Sequence, residues 1–270
     1  MNNFVLRSIT GTIFVAVIVS SIVFSPLFFV GLFFCISLLG LHEFYMLLQS
    51  GGKTPQLKWG LMSGGLLFAG LAAVANDWMN SKYLLALLPL GAVVFIFELY
   101  RNKPDPFENI ALTLLGIVYI ALPFGFLNFF FLSELNHPYI ILLGYFAILW
   151  INDTFAYLFG MTFGKHRLFE RISPKKSWEG SIGGGLTSIF AAGLIASFEN
   201  SLLLVHWLAI AIIIVISGSL GDLVESMLKR SLNCKDSGTI LPGHGGILDR
   251  FDAVLISAPL IFVYIQLFIK

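Results

Sequence analysis

Runs of roughly twenty residues with hardly a charge recur from one end of this chain to the other, the length a helix needs to cross the apolar layer of a bilayer. Lipid offers the backbone no hydrogen-bond partners, so a spanning segment has to be a helix or part of a closed barrel. Barrel strands alternate apolar and polar residues over about ten positions; these runs are continuously apolar, so helices are predicted. Composition agrees. Only 11% of the 270 residues are charged, against about a quarter in a soluble domain, which excludes a water-soluble fold. The expected fold class is all-α, a polytopic integral membrane helical bundle of about nine transmembrane helices.

The spans fall near residues 7–24, 27–48, 59–75, 83–99, 109–132, 139–160, 178–198, 203–227 and 251–269. Ser25-Pro26 punctuates the first two as a tight hairpin, while Pro89 and Pro123 lie inside spans, where membrane helices tolerate a kink. Arg7 precedes an apolar run without a small-residue cleavage site, so the first helix is expected to be retained. Cys35 and Cys234 are expected to be unpaired thiols. His42-Glu43, near the inner end of the second span, is expected to be a snorkelling pair.

Orientation follows from lysine and arginine. With the N-terminus inside, 14 of the 16 basic residues fall in inner segments and only Lys82 and Lys270 lie outside. A cytoplasmic N-terminus and an external C-terminus are expected.

Two polar stretches interrupt the apolar pattern. The first runs from Asn152-Asp153, inside the sixth span, to Ser173-Pro174-Lys175-Lys176-Ser177-Trp178-Glu179-Gly180. An ionised carboxylate at the depth of Asp153 calls for a wet cavity, a cation or a basic partner. Lys175 and Lys176 precede a helix start followed by Gly183-Gly184-Gly185, and lysines beside a helix N-terminus suit a phosphate. In the second stretch Asp222, Glu225, Ser226 and Lys229 recur every three or four residues, so they share one helical face. Beyond them come Arg230, Lys235-Asp236-Ser237-Gly238 and Leu241-Pro242-Gly243-His244-Gly245-Gly246-Ile247-Leu248-Asp249-Arg250-Phe251-Asp252, with Asp249 and Asp252 sharing a face where the last span begins. Loop glycines supply backbone N–H groups that can approach phosphate oxygens. Several carboxylates without a cysteine or histidine cluster suit a hard cation such as Mg²⁺. Lysines and arginines beside them suit a polyphosphate. The residues therefore point to metal-dependent phosphoryl or nucleotidyl transfer to a lipid, and do not name the nucleotide.

The segment from Ser226 to Asp252, read as Ser226-x-Leu228-Lys229-Arg230-x4-Lys235-Asp236-x-Gly238-x2-Leu241-Pro242-x-His244-Gly245-Gly246-Ile247-x-Asp249-Arg250-Phe251-Asp252, resembles the signature of the phosphatidate cytidylyltransferase (CDP-diacylglycerol synthase) family. Asn152-Asp153 and Ser173 to Gly180 also resemble that family, so the likeness covers roughly residues 140–270, while residues 1–135 match in hydropathy alone. The resemblance implies that CTP and phosphatidate give CDP-diacylglycerol and diphosphate at the cytoplasmic face of the cell membrane. It implies Mg²⁺, with K⁺ admitted at a second position, and Asp222 and Asp249 as metal ligands. Lys229, Arg230, Lys235, Arg250, His244, Asp236 and Asp252 are the other candidate catalytic residues. Asn152, Asp153, Lys175, Lys176, Ser177, Glu179, Ser226, Gly245 and Gly246 are candidates for substrate binding. The expected partners are the two substrates and membrane lipid; nucleic acid is not expected, and a homodimer is admitted. Residues 1–135 then read as N-terminal transmembrane helices and 136–270 as the catalytic region, with cytoplasmic loops 161–177 and 228–250, inside one integrated membrane domain. A CTP-dependent polyprenol or lipid-alcohol kinase, and a cation-coupled transporter, are the alternatives.

Overall fold

A computed structural model describes residues 3–133, 135–234, 237–238 and 245–269, with side chains from Ile9 onward. The chain divides into two compact units. One comprises Met1–Phe129 with Ser231–Phe251, the other Phe130–Arg230 with Asp252–Lys270.

The first unit begins with α1 (Asn3–Phe24), followed by α2 (Pro26–Ser50) and α3 (Leu57–Ala75). Ser25 ends the turn between α1 and α2: its hydroxyl accepts from Leu27 N at 3.2 Å, and Pro26 occupies the first helical position, where its missing N–H costs nothing. Helix α4 (Ser81–Arg101) opens as a 3₁₀ turn and becomes α-helical at Leu88, so Pro89 sits in a first turn and kinks nothing. Helix α5 (Pro106–Phe130) does absorb its proline. A π turn over Ile117–Ala121 immediately precedes the turn containing Pro123, where the backbone lacks a donor.

Tyr45 organises this unit. Its hydroxyl donates to the Thr113 carbonyl at 2.6 Å, and its ring fills the space that side chains at Gly60 and Gly116 would need. Phe251 meets Phe33 and Phe124 edge to face, with Phe124 and Phe251 centroids 5.2 Å apart. A polar network joins α4, α5 and the 51–56 loop. Glu98, 5% exposed, accepts from Arg101 Nη1 at 2.8 Å, Gln56 Nε2 at 2.6 Å and Asn109 Nδ2 at 2.8 Å.

The second unit contains α6 (Ile140–Phe163), a two-stranded antiparallel hairpin of β1 (Arg167–Phe169) and β2 (Ser173–Ser177), α7 (Trp178–Phe198) and α8 (Leu204–Ser231). It also takes all but the first turn of α9 (Leu248–Phe268). Gly180, Gly184 and Ser188 recur every four residues and give α7 a face without bulk. A Cβ at Gly180 would lie 2.6 Å from the Ala156 carbonyl oxygen, and one at Gly184 2.7 Å from that of Asn152. Two backbones thus lie in direct contact, the small-residue packing that replaces the hydrophobic effect between helices in lipid.

The predicted polytopic helical membrane fold is what the structure has. Among the described residues eight helices are long and apolar enough to cross a bilayer, and α1 contributes a shorter apolar stretch at Ile9–Phe24, so every expected span falls on a helix. Cys35, on α2, is an exposed thiol, and Cys234 is half-buried.

Candidate active site

In the second unit the hairpin delivers its lysines to the start of α7. Ser177 accepts from Gly180 N at 3.2 Å and caps the helix. Glu179, in the first turn, holds the hairpin's approach: it accepts from the backbone N–H of Lys165 at 3.1 Å and of His166 at 3.2 Å, and contacts His166 Nδ1 at 2.6 Å. Trp178 N donates to the His166 carbonyl at 2.9 Å. Ser177 and Glu179, both expected at the substrate, are thus engaged in shaping the hairpin and helix start.

That shape places Lys176 beside α8. Its ammonium lies 2.6 Å from Asp222 Oδ2 and 3.4 Å from the Ser219 carbonyl oxygen, while Lys175 is exposed. The helical face expected from spacing is formed, as two pairs. Ser226 Oγ donates to Asp222 Oδ1 at 3.2 Å, and Lys229 Nζ sits 2.5 Å from Glu225 Oε2, with Glu225 only 1% exposed. Helix α9 comes against this face because Gly221 has no side chain; a Cβ there would lie 2.5 Å from the Asp252 carbonyl oxygen. Asp252 is half-buried and close enough to feel the charges of Asp222, Glu225 and Asp153. Asn152, one residue before Asp153 on α6, is buried with its Oδ1 making no hydrogen bond among the described residues.

Four carboxylates from three helices therefore share one electrostatic neighbourhood, with Lys176 and Lys229 paired to two of them. Among the described residues no three His, Cys, Asp or Glu side chains gather closely enough to enclose an ion by themselves. An all-oxygen set of this kind fits Mg²⁺, which is held through one or two carboxylates and completes its shell with water and substrate phosphate.

Gly238, Gly245 and Gly246 belong to the first unit. Gly245 has φ +82°, in the left-handed region that favours glycine. Asp249 Oδ2 accepts from Gly246 N at 2.9 Å, Ser237 N at 3.2 Å and Ser237 Oγ at 3.0 Å. The Gly246 N–H, expected at a phosphate, is thus directed at Asp249. Arg230 and Arg250 are exposed. Lys235, Asp236 and His244 lie outside the described residues.

Glu43 was read from the sequence as part of a snorkelling pair. His42 is exposed, but Glu43 is 4% exposed and turned inward, accepting from Ile247 N at 2.8 Å, Leu248 N at 3.1 Å and the Ser237 hydroxyl. The available signal was that Glu43 is the lone acid in α2.

Fold and charged clusters together define a polytopic helical membrane protein with acidic and basic side chains paired within its apolar helices. Residues 5–268 match the model of the cytidylyltransferase family. The chain is 37% identical over 198 residues to a phosphatidate cytidylyltransferase of Staphylococcus haemolyticus, covering 73% of this chain and 74% of that protein. It is 38% identical over 205 residues to proteins of the same name from Staphylococcus epidermidis and Staphylococcus aureus, covering 75% of this chain and 77% of each. The chain belongs to the cytidylyltransferase family and is a nucleotidyltransferase.

Proposed function

We propose that the protein transfers the cytidylyl group of CTP to phosphatidate, releasing diphosphate and leaving CDP-diacylglycerol in the membrane. A phosphate oxygen of phosphatidate forms the new bond to the α-phosphorus of CTP, and the bond from that phosphorus to the oxygen leading to the β-phosphorus breaks. The attacking group is already ionised, so the main task is bringing two anions together. The observation that carries this reading is the Lys176–Asp222 pair, 2.6 Å apart, in a neighbourhood shared with Glu225, Asp252 and Asp153. A lysine released from its carboxylate takes a phosphate, and the carboxylate released from its lysine takes a cation. Asp222 and Asp249 are each proposed as a carboxylate donor to Mg²⁺, which when bound neutralises phosphate charge. Lys229, Arg230 and Arg250 are proposed as further phosphate contacts. The bias of 14 basic residues to 2 supports an N-terminus and an active face on the cytoplasmic side.

The test is product analysis with purified protein, Mg²⁺, phosphatidate and CTP labelled at the α- or the γ-phosphate. Label from the α position in CDP-diacylglycerol, with γ label in diphosphate, is expected. Label from the γ position in a phospholipid, with CDP as the other product, would instead identify a kinase.

A further inference from the structure

We propose that Glu43 is a positioning residue for the reaction, a clamp on α2 that fixes the glycine-rich loop and, through it, the Asp249 carboxylate; this rests on the function proposed above. The observation is a closed relay inside the first unit. The Glu43 carboxylate accepts from the backbone N–H groups of Ile247 and Leu248, at 2.8 and 3.1 Å, where α9 begins and its donors lack helical partners. It also accepts from the Ser237 hydroxyl, which itself stands 3.0 Å from Asp249 Oδ2. The fit is tight on both sides of the carboxylate. A Cβ at Gly238 would lie 2.9 Å from Glu43 Cδ, and one at Gly246 would collide with Glu43 Oε1. Both glycines are therefore required where the chain meets this acid. Asp249 receives Gly246 N and Ser237 N from the same loop, so any shift of Glu43 moves the donors that orient Asp249.

A group that orients a reacting carboxylate typically affects metal affinity or activity about ten- to a hundredfold when removed. The experiment compares wild type, Glu43→Gln, Glu43→Asp and Glu98→Gln in detergent, measuring kcat, KM for CTP, the half-saturating Mg²⁺ concentration and Tm. Glu98 is the comparator because it too is a buried carboxylate of the first unit, but its hydrogen-bond partners among the described residues are Arg101, Gln56 and Asn109 and none of residues 237–249. Expected is a kcat/KM about ten- to a hundredfold lower in Glu43→Gln, with a raised Mg²⁺ requirement, partly recovered in Glu43→Asp. Glu98→Gln should lower Tm and leave the kinetic constants alone. If Glu43→Gln behaves like Glu98→Gln, the clamp has no part in positioning. If it does not fold, Glu43→Asp decides: altered constants support the proposal and wild-type constants overturn it. A wild-type protein that forms no CDP-lipid sinks the reaction reading instead. The clamp is then judged by maleimide labelling of Cys234 in a Cys35→Ser background, faster in Glu43→Gln if the carboxylate holds the loop and unchanged if it does not.

Discussion

Acidic side chains within apolar helices are treated differently in the two units. In the first, Glu98 and Glu43 are enclosed by several donors at once: two amides and a guanidinium round one, two backbone N–H groups and a hydroxyl round the other. In the second, Asp222 and Glu225 each face a lysine, at 2.6 and 2.5 Å. A backbone donor cannot leave its acceptor without unfolding the turn that carries it. A lysine ammonium rides on a flexible four-carbon stem and exchanges partners readily. Glu98 and Glu43 therefore hold the scaffold, and on the proposed reading the lysine-paired Asp222 is the carboxylate that exchanges its lysine for a cation.

The largest effects should come from the two proposed metal ligands, Asp222 paired to a lysine and Asp249 held by backbone donors. Asp222→Asn is expected to cut kcat by about a hundredfold or more with Tm near wild type, as loss of a metal-held charge removes several kcal/mol of transition-state stabilisation. Asp249→Asn should match it in kcat but also lower Tm, because Asp249 orders Ser237 and Gly246. Steady-state kinetics with thermal shift separates the two. Near-normal turnover in either variant at ordinary Mg²⁺ would count against that residue as a metal ligand.

Next comes Lys176→Gln. Losing a charge-assisted contact of about 1.5–3 kcal/mol should lower kcat/KM roughly ten- to a hundredfold. Lys175→Gln should act in the same direction but less strongly, since Lys175 is exposed. Unchanged kcat/KM for both substrates in both variants would make the pair a topology anchor only.

Gly184→Leu sharpens the packing side of the comparison. Forcing a side chain against the Asn152 carbonyl should cost about 1–3 kcal/mol and lower Tm. Gly193→Leu is the control, since a Cβ there meets nothing within 4 Å. Equal Tm values for the two would refute the α6–α7 contact.

The smallest effect is expected at the exposed Lys53–Glu108 pair, 2.6 Å apart. The hydrogen bond and charge of Glu108 raise the Lys53 pKa, so whatever the pair contributes is fully present at neutral pH and fades only as pH rises through that raised value. Glu108→Gln should leave Tm unchanged within error in neutral buffer.

Much of the fold was legible because crossing a bilayer imposes length and hydropathy on a local stretch of sequence. Span 178–198 coincides with α7, and the proline at 26 marks the start of α2. The face of Asp222, Glu225, Ser226 and Lys229 was legible for a related reason: helical period alone brings those residues together, and the i,i+4 contacts at Ser226 and Lys229 follow. Contacts made through folding in three dimensions were not legible. Nothing local joins Lys176 to Asp222, or Glu43 to an amide 204 residues away at Ile247. The hairpin was hidden as well, since Arg167–Phe169 and Ser173–Ser177 are too short to display an alternating pattern. Pro89 shows the opposite limit: a proline inside an apolar run, a position where a kink is tolerated, lies where α4 passes from 3₁₀ to α-helix.

The division between exchangeable and enclosed carboxylates is tested most directly by Mg²⁺ titration of kcat/KM in wild type, Asp222→Asn and Glu98→Gln, normalised to folded protein. The predicted result is an Asp222→Asn curve displaced to far higher Mg²⁺, or not restored at all, at wild-type Tm, beside a Glu98→Gln curve that overlays wild type at a lowered Tm. An Asp222→Asn curve that overlays wild type would contradict it.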